Sequence, residues 1–156
     1  MTPAINSAKR AGIAFQVHEY THEPTAESYG MEAAEKLGIA AEQVFKTLVV
    51  KLDSKQLAVG IVPVTGQLNL KQVAKAAGAK KAAMAQPNEV ERTTGYVLGG
   101  VSPLGQKKRL ATFIDCSADA FATIYVSAGR RGLEIELAPG DLASLAGAKY
   151  FSIAVA

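Results

Sequence analysis

Hydrophobic and polar residues alternate along Phe45-Lys46-Thr47-Leu48-Val49-Val50-Lys51-Leu52, a run rich in branched side chains that predicts a β-strand. Strand side chains point to opposite faces in turn, so Phe45, Thr47, Val49 and Lys51 share one face. Lys46 shares the other with Leu48, Val50 and Leu52, and that face is otherwise wholly aliphatic. A cation on such a face either snorkels to the rim, with its stem covering the core edge, or finds an anion, or serves a site. A second strand over 56–62 follows the turn Asp53-Ser54-Lys55, which predicts a hairpin.

Elsewhere the period changes. Ala4–Ala11 reads as a short helix ended by Gly12, and Phe15–Tyr20 as a strand. Met31, Ala34 and Leu37 recur at helical spacing, with Ser28 as N-cap, Gly38 as stop, and Glu32 and Lys36 placed to pair. Leu70, Val73, Ala74 and Ala77 form a helical stripe capped by Asn69 and stopped by Gly78, and Pro87–Thr93 reads as a further helix. Strands are expected over Arg109–Cys116, Phe121–Ser127 and Leu133–Leu137, then a helix over Pro139–Ala146 ended by Gly147, then a last strand over Lys149–Val155. The order is α+β without a βαβ rhythm, and it predicts a mixed, barrel-like β-sheet flanked by helices.

Composition adds bounds. At 156 residues the chain is expected to form a single domain, 1–156, with a core of its own. A 49% apolar and 20% charged content suits a globule, and no run approaches the ~20 apolar residues of a membrane span. The one cysteine, Cys116, excludes an internal disulfide and reads as a small buried hydrophobe in an apolar strand. Met1-Thr2-Pro3-Ala4 lacks the order of a signal peptide, so the expected address is cytoplasmic, with no membrane partner. The net charge of +3 is mild; it permits a polyanionic partner without demanding one. The cations cluster as Lys71, Lys75, Lys80 and Lys81, as Lys107, Lys108 and Arg109, and as Arg130 and Arg131. Each cluster reads as solvated surface unless the fold brings them together.

Three segments carry candidate chemistry. Gly95-Tyr96-Val97-Leu98-Gly99-Gly100-Val101-Ser102-Pro103-Leu104-Gly105 holds four glycines and a proline in eleven residues. Such a loop suits either backbone approach to a ligand or a plain tight turn. It lacks the Gly-Lys-Ser/Thr end of a phosphate loop. Tyr125-Val126-Ser127-Ala128-Gly129-Arg130-Arg131-Gly132 runs a strand into a basic turn, where Ser127 reads as a turn-former. Glu134 alternates with Leu133 and Ile135, which puts it with Glu136 away from the main core as a solvent-facing pair. His18 and His22 lie four apart in a strand rather than a helix, so no metal site is expected, and no catalytic triad assembles around Cys116.

Taken in order, these three segments resemble the YbaK proteins, bacterial Cys-tRNA(Pro) deacylases. Their superfamily includes the editing domain inserted in bacterial prolyl-tRNA synthetases. The resemblance implies a barrel-like mixed sheet flanked by helices. It implies that Lys46 is the essential catalytic lysine, with Thr47 beside it. The loop Gly99, Gly100, Val101, Ser102 and Pro103 would hold the aminoacyl group, and Tyr20, Tyr29, Ser127 and Glu134 would line the pocket. Tyr29 stands where relatives often have phenylalanine, and Glu134 where they have aspartate. The implied partners are the acceptor end of an aminoacyl-tRNA and prolyl-tRNA synthetase, with no cofactor and no metal. With no protein nucleophile in evidence, the resemblance implies attack by the substrate's own thiol. The other readings are a deacylase for alanine on tRNA(Pro), a non-catalytic module that binds aminoacyl-tRNA or a synthetase, and a nucleotide-binding regulatory domain.

Overall fold

The branched run 45–52 forms strand β2 (Phe45–Leu52), and it is covered on both faces. In the computed structural model, which describes residues 1–24 and 29–156, Phe45 and Val49 enter the main core, while Val50 and Leu52 enter a second one behind the sheet. β2 pairs antiparallel with β3 (Leu57–Pro63) through the expected hairpin, and with β5 (Ala82–Met84) at Val50–Leu52 only. β3 then pairs in parallel with β6 (Ala111–Asp115), and β6 in parallel with β9 (Ala148–Phe151). This makes a mixed five-stranded sheet in the order β5-β2-β3-β6-β9.

A second, antiparallel sheet orders β1 (Phe15–Glu19), β8 (Leu133–Leu137) and β7 (Ile124–Arg130) as β1-β8-β7. Two short strands, β4 (Gln67–Leu68) and β10 (Ala154–Val155), form a third. The two large sheets meet at an isolated parallel bridge, Val44 with Tyr125. Among the described residues no continuous ladder closes them into a barrel, so the curl is open at this seam.

Helices fill the flanks. α1 (Pro3–Ala11) is capped by Thr2, whose hydroxyl accepts from the Ile5 N–H at 3.2 Å. It buries Ala4, Ile5 and Ala8 against the main core between the sheets, together with α5 (Pro139–Ala146). α3 (Leu70–Ala76) is capped by Asn69 as expected and closes the second core with Val73. α4 (Pro87–Thr94) is tied to β2 by an ion pair of 2.9 Å between Lys51 and Glu89. α2 (Tyr29–Leu37) lays Ala33 and Ala34 on Val44 and Tyr125, a third small core directly over the seam. Ser28, expected to cap this helix, lies outside the described residues. No described helix is long and apolar enough to cross a membrane.

Several expectations change here. Glu32 does not pair with Lys36: it is buried and takes His22 and the Glu23 N–H, while Lys36 reaches Glu23 at 3.0 Å. Cys116 is exposed, not buried. The strand ends at Asp115, whose carboxylate accepts from the Ser117 N–H at 3.1 Å and starts a 3-10 helix over Cys116–Ala120 that turns the thiol outward. The last strand is two strands, because the other oxygen of Asp115 accepts from the Ile153 and Ala154 N–H groups at 3.0 and 2.9 Å, bending the chain between β9 and β10.

Asp115 is therefore a buried carboxylate held by backbone donors. Burial alone would raise its pKa, but the hydrogen bonds from Ser117, Ile153 and Ala154 hold it below 3.8. A group lowered on folding stabilises at neutral pH and loses that contribution as pH falls through its folded pKa. Asp115→Ala is expected to cost about 2–4 kcal/mol by orphaning these donors. Urea unfolding at pH 7 checks this, and a wild-type midpoint would mean the bend does not depend on Asp115.

Candidate functional site

A cavity of about 370 Å³ lies at the seam between the sheets, within the usual range for small-ligand sites. β2 forms one wall. Because β5 pairs only with Val50–Leu52, the Phe45–Leu48 end of β2 borders the cavity with Phe45, Lys46, Thr47 and Leu48. Ser127 of β7 and Glu134 of β8, directly opposite each other in register, form the facing wall. Tyr20, Tyr29 and Gly30 close one side, and Leu98, Gly99 and Val101 of the glycine loop the other.

Some of the polar groups on these walls have no side-chain partner among the described residues. Lys46 is half-buried, and burial lowers the pKa of its amine. It makes no hydrogen bond or ion pair with a described residue. The Thr47 hydroxyl is buried and has no hydrogen-bond partner among the described residues. Glu134 is only 7% exposed. Sequence alternation did put it away from the main core, but not in solvent: the small core under α2 covers that face. Desolvation raises its carboxyl to a pKa of about 8, so it is largely protonated at neutral pH. Burial, followed by the nearby Glu134 carboxylate, raises the Tyr20 phenol to about 12, and its hydroxyl donates to the Tyr29 carbonyl at 3.4 Å. Buried polar groups left unpaired cost free energy, which makes this cluster a candidate for meeting a polar ligand.

The mouth is built by close approach of two loops. The Gly100 N–H closes a turn on the Val97 carbonyl at 3.0 Å, with Gly99 at φ +90°, a conformation glycine alone adopts readily. A Cβ on Gly99 would stand 2.5 Å from Nε of Arg131, and one on Gly100 2.7 Å from the Arg130 Cα. The two glycines thus let the loop lie against the basic turn between β7 and β8. Arg131 in turn stacks 3.8 Å over the Tyr29 ring and donates to the Tyr29 hydroxyl. Its other nitrogen contacts Nε2 of His22 at 3.3 Å, and His22 Nδ1 meets Glu32 at 2.7 Å. His18 pairs separately with Glu136 at 2.9 Å, so the two histidines serve different carboxylates.

Of the residues expected from sequence, the cavity brings together Lys46, Thr47, Tyr20, Tyr29, Gly99, Val101, Ser127 and Glu134. Gly100, Ser102 and Pro103 do not border it. Gly100 supports the mouth from behind. Ser102 is fully buried, and its hydroxyl accepts from the Leu104 N–H at 3.2 Å. Pro103 borders a separate depression with Ser7 and Arg109. Sequence reading missed Gly30, Phe45, Leu48, Val64 and Leu98 as wall residues. Only the neighbours of Lys46 carried a signal, since a strand edge lining a cavity exposes consecutive residues.

The chain matches the aminoacyl-tRNA editing domain family over residues 22–145 and belongs to it, which bears out the resemblance drawn from the three segments. It is 42% identical over 120 residues to a candidate Cys-tRNA(Pro)/Cys-tRNA(Cys) deacylase of Enterococcus faecalis, a stretch covering 77% of this chain and 73% of that protein. It is also 34% identical over 107 residues to the proline–tRNA ligase of Shouchella clausii, 63% of this chain but 19% of the ligase. The solved structure of a candidate trans-editing enzyme for prolyl-tRNA synthetase shares the fold with a TM-score of 0.85 at 22% identity, over 100% of this chain and 99% of that one.

A carboxyl whose pKa rises on folding stabilises the fold below its unfolded value and loses that contribution as pH rises through the folded one. Stability of the wild type is therefore expected to fall between pH 4.5 and about 8 through Glu134. Glu134→Gln should remove most of that slope, read as urea midpoints at pH 5 and 9. An unchanged slope would mean Glu134 ionises freely in the fold.

Proposed function

We propose that this chain, acting as one editing domain, is a deacylase that cleaves the ester of an aminoacyl-tRNA carrying the wrong amino acid, with cysteine on tRNA(Pro) as substrate. The observation that carries the reading is the unpaired set Lys46, Thr47 and Glu134 around one cavity in a chain of this family. The name of the 42% identical relative supports cysteine.

Each group has work in such a complex. The Lys46 amine supplies positive charge beside the ester carbonyl or the adjacent phosphate, where little water screens it. The Thr47 hydroxyl, which has no partner among the described residues, hydrogen-bonds the ester or the ribose. Glu134 gives up its proton when the α-ammonium of the amino acid enters, because a cation close by favours the charged form. Gly99 and Val101 border the acyl group at a distance only a loop without bulk permits. The Gly100 N–H is already engaged in the turn and is not a free donor.

Neither aliphatic hydroxyl on the walls is paired with a base: Ser127 accepts from the Gly129 N–H at 3.2 Å, and Thr47 has no partner among the described residues. This supports attack by the substrate itself. The cysteinyl sulfur bonds to its own carbonyl carbon, the carbon–oxygen ester bond to the ribose breaks, and the thiol proton ends on the ribose hydroxyl. The cysteine leaves as a cyclic thioester. Such intramolecular attack reaches effective molarities of about 10⁵ M or more. It also rejects proline by chemistry, where shape alone separates similar ligands by only ~1–3 kcal/mol. Delivery by prolyl-tRNA synthetase fits the second relative, which is that enzyme.

The test is deacylation of Cys-, Ala-, Ser- and Pro-tRNA by the pure protein. Rapid loss of cysteine with slow loss of the others is expected, and efficient cleavage of Ala-tRNA would overturn the thiol mechanism. Lys46→Ala should abolish turnover while the melting temperature holds; near-normal turnover would remove Lys46 from the reaction. Thr47→Val should lower kcat/KM by about tenfold, the worth of one hydrogen bond, without loss of stability, since it deletes a hydroxyl that has no partner in the fold. A destabilised but fully active variant would make Thr47 structural. Cys116→Ala, exposed and outside the cavity, should change little.

A further inference from the structure

The substrate of the proposed reaction is a polymer, so the strand that leads into the cavity must leave through its mouth. An open groove of about 710 Å³ begins there. Leu98 borders both spaces, and its neighbour Gly99 borders the cavity. The groove floor is the exposed tip of the glycine loop, with Val97 55% and Leu98 50% exposed. One wall is Arg130 and Arg131 of the basic turn, and the other is the first turns of α4, with Pro87, Asn88 and Glu91.

Two adjacent apolar side chains on a loop tip gain by being covered, and here they lie between cations and a carboxylate. Single-stranded RNA presents three matching features: flat bases that stack on apolar side chains and guanidinium planes, phosphates that pair with arginine, and base amines that donate to a carboxylate. Arg131 is already stacked on Tyr29, which leaves its outer face and charge to the groove. Among the described residues, Arg130 makes only an exposed contact of 3.6 Å to Glu19 and is the freer of the two to take a phosphate. Glu91 is exposed on the opposite wall, where a carboxylate can accept from a base amine.

From charge complementarity and continuity with the cavity, we infer that this groove holds the single-stranded nucleotides that precede the 3′ adenosine of the tRNA, with bases over Val97 and Leu98 and a phosphate on Arg130. The inference rests on the deacylase reading for the direction of the strand. It locates RNA recognition on α4 and the basic turn rather than in the cavity.

The test is a binding titration that needs no turnover. An uncharged RNA hairpin of the acceptor stem, ending in its single-stranded 3′ overhang, is titrated by fluorescence anisotropy against the wild type, Arg130→Ala/Val97→Ser and Lys75→Ala. The same hairpin trimmed of its overhang is the second ligand. Wild type and Lys75→Ala, which loses a cation on α3 far from the groove, should bind the full hairpin alike. Trimming, or the groove substitutions, should weaken binding about tenfold, and the substitutions should flatten the salt dependence by about 0.7 in log–log slope for the one phosphate lost. Wild-type affinity in the groove variant, or equal binding of the trimmed hairpin, overturns the inference. Failure of the deacylase reading appears elsewhere, as intact ester in the mischarged panel with hairpin binding retained.

Discussion

Two sheets that share a core but, among the described residues, are joined by a single isolated backbone bridge leave their shared edge unsealed. At Val44 and Tyr125 the five-stranded and three-stranded sheets come together, and beside that point the polar groups of both face a gap that no protein atom fills. The cost of such a gap is borne by specific side chains: a buried threonine hydroxyl without a partner, a lysine amine pushed toward neutrality, and a glutamate pushed toward its acid form. The remainder of the fold is arranged to hold that gap open. The Lys51–Glu89 pair fixes α4 to β2, α2 covers the seam with the small side chains Ala33 and Ala34, and α1 and α5 pack on the main core between the sheets.

Charge states in this cavity depend on whether it is occupied. Lys46 and Glu134 both border it, yet the low pKa of the one and the high pKa of the other trace to burial rather than to mutual attraction. Each is therefore free to respond to what enters. An incoming ammonium restores the carboxylate, and an incoming phosphate or polarised carbonyl offsets the burial that lowers the pKa of the lysine amine. A ligand carrying both kinds of group, as an aminoacyl ester of a nucleotide does, satisfies the two walls at once.

Much of this was legible in the chain. The strand pattern marked Lys46 as misplaced, and the density of glycine marked the loop, because both break a local rule. Thr47 gave no such sign: a threonine in a strand is ordinary, and its lack of a partner exists only once β5 is seen to stop at Val50. Glu134 misled because period-two alternation reports which side a residue is on, not what covers that side, and α2 is supplied from far away in sequence. Cys116 and the broken last strand were misread for one shared reason. A single carboxylate, Asp115, collects backbone donors from two segments, a long-range contact that no local pattern records.

Gly99 and Gly100 act through the atoms they lack. A carbon added to Gly100 would force the backbone of the basic turn away, and one added to Gly99 would displace the stacked Arg131 and Tyr29 side chains. Arg131 is itself stacked on Tyr29, a wall of the cavity, and tied through His22 to Glu32 at the base of α2. Aperture and interior are thus one mechanical unit. A variant that alters the selectivity of the chamber need not touch the chamber, and a search for altered specificity that samples only its lining would overlook the rim that sets its width.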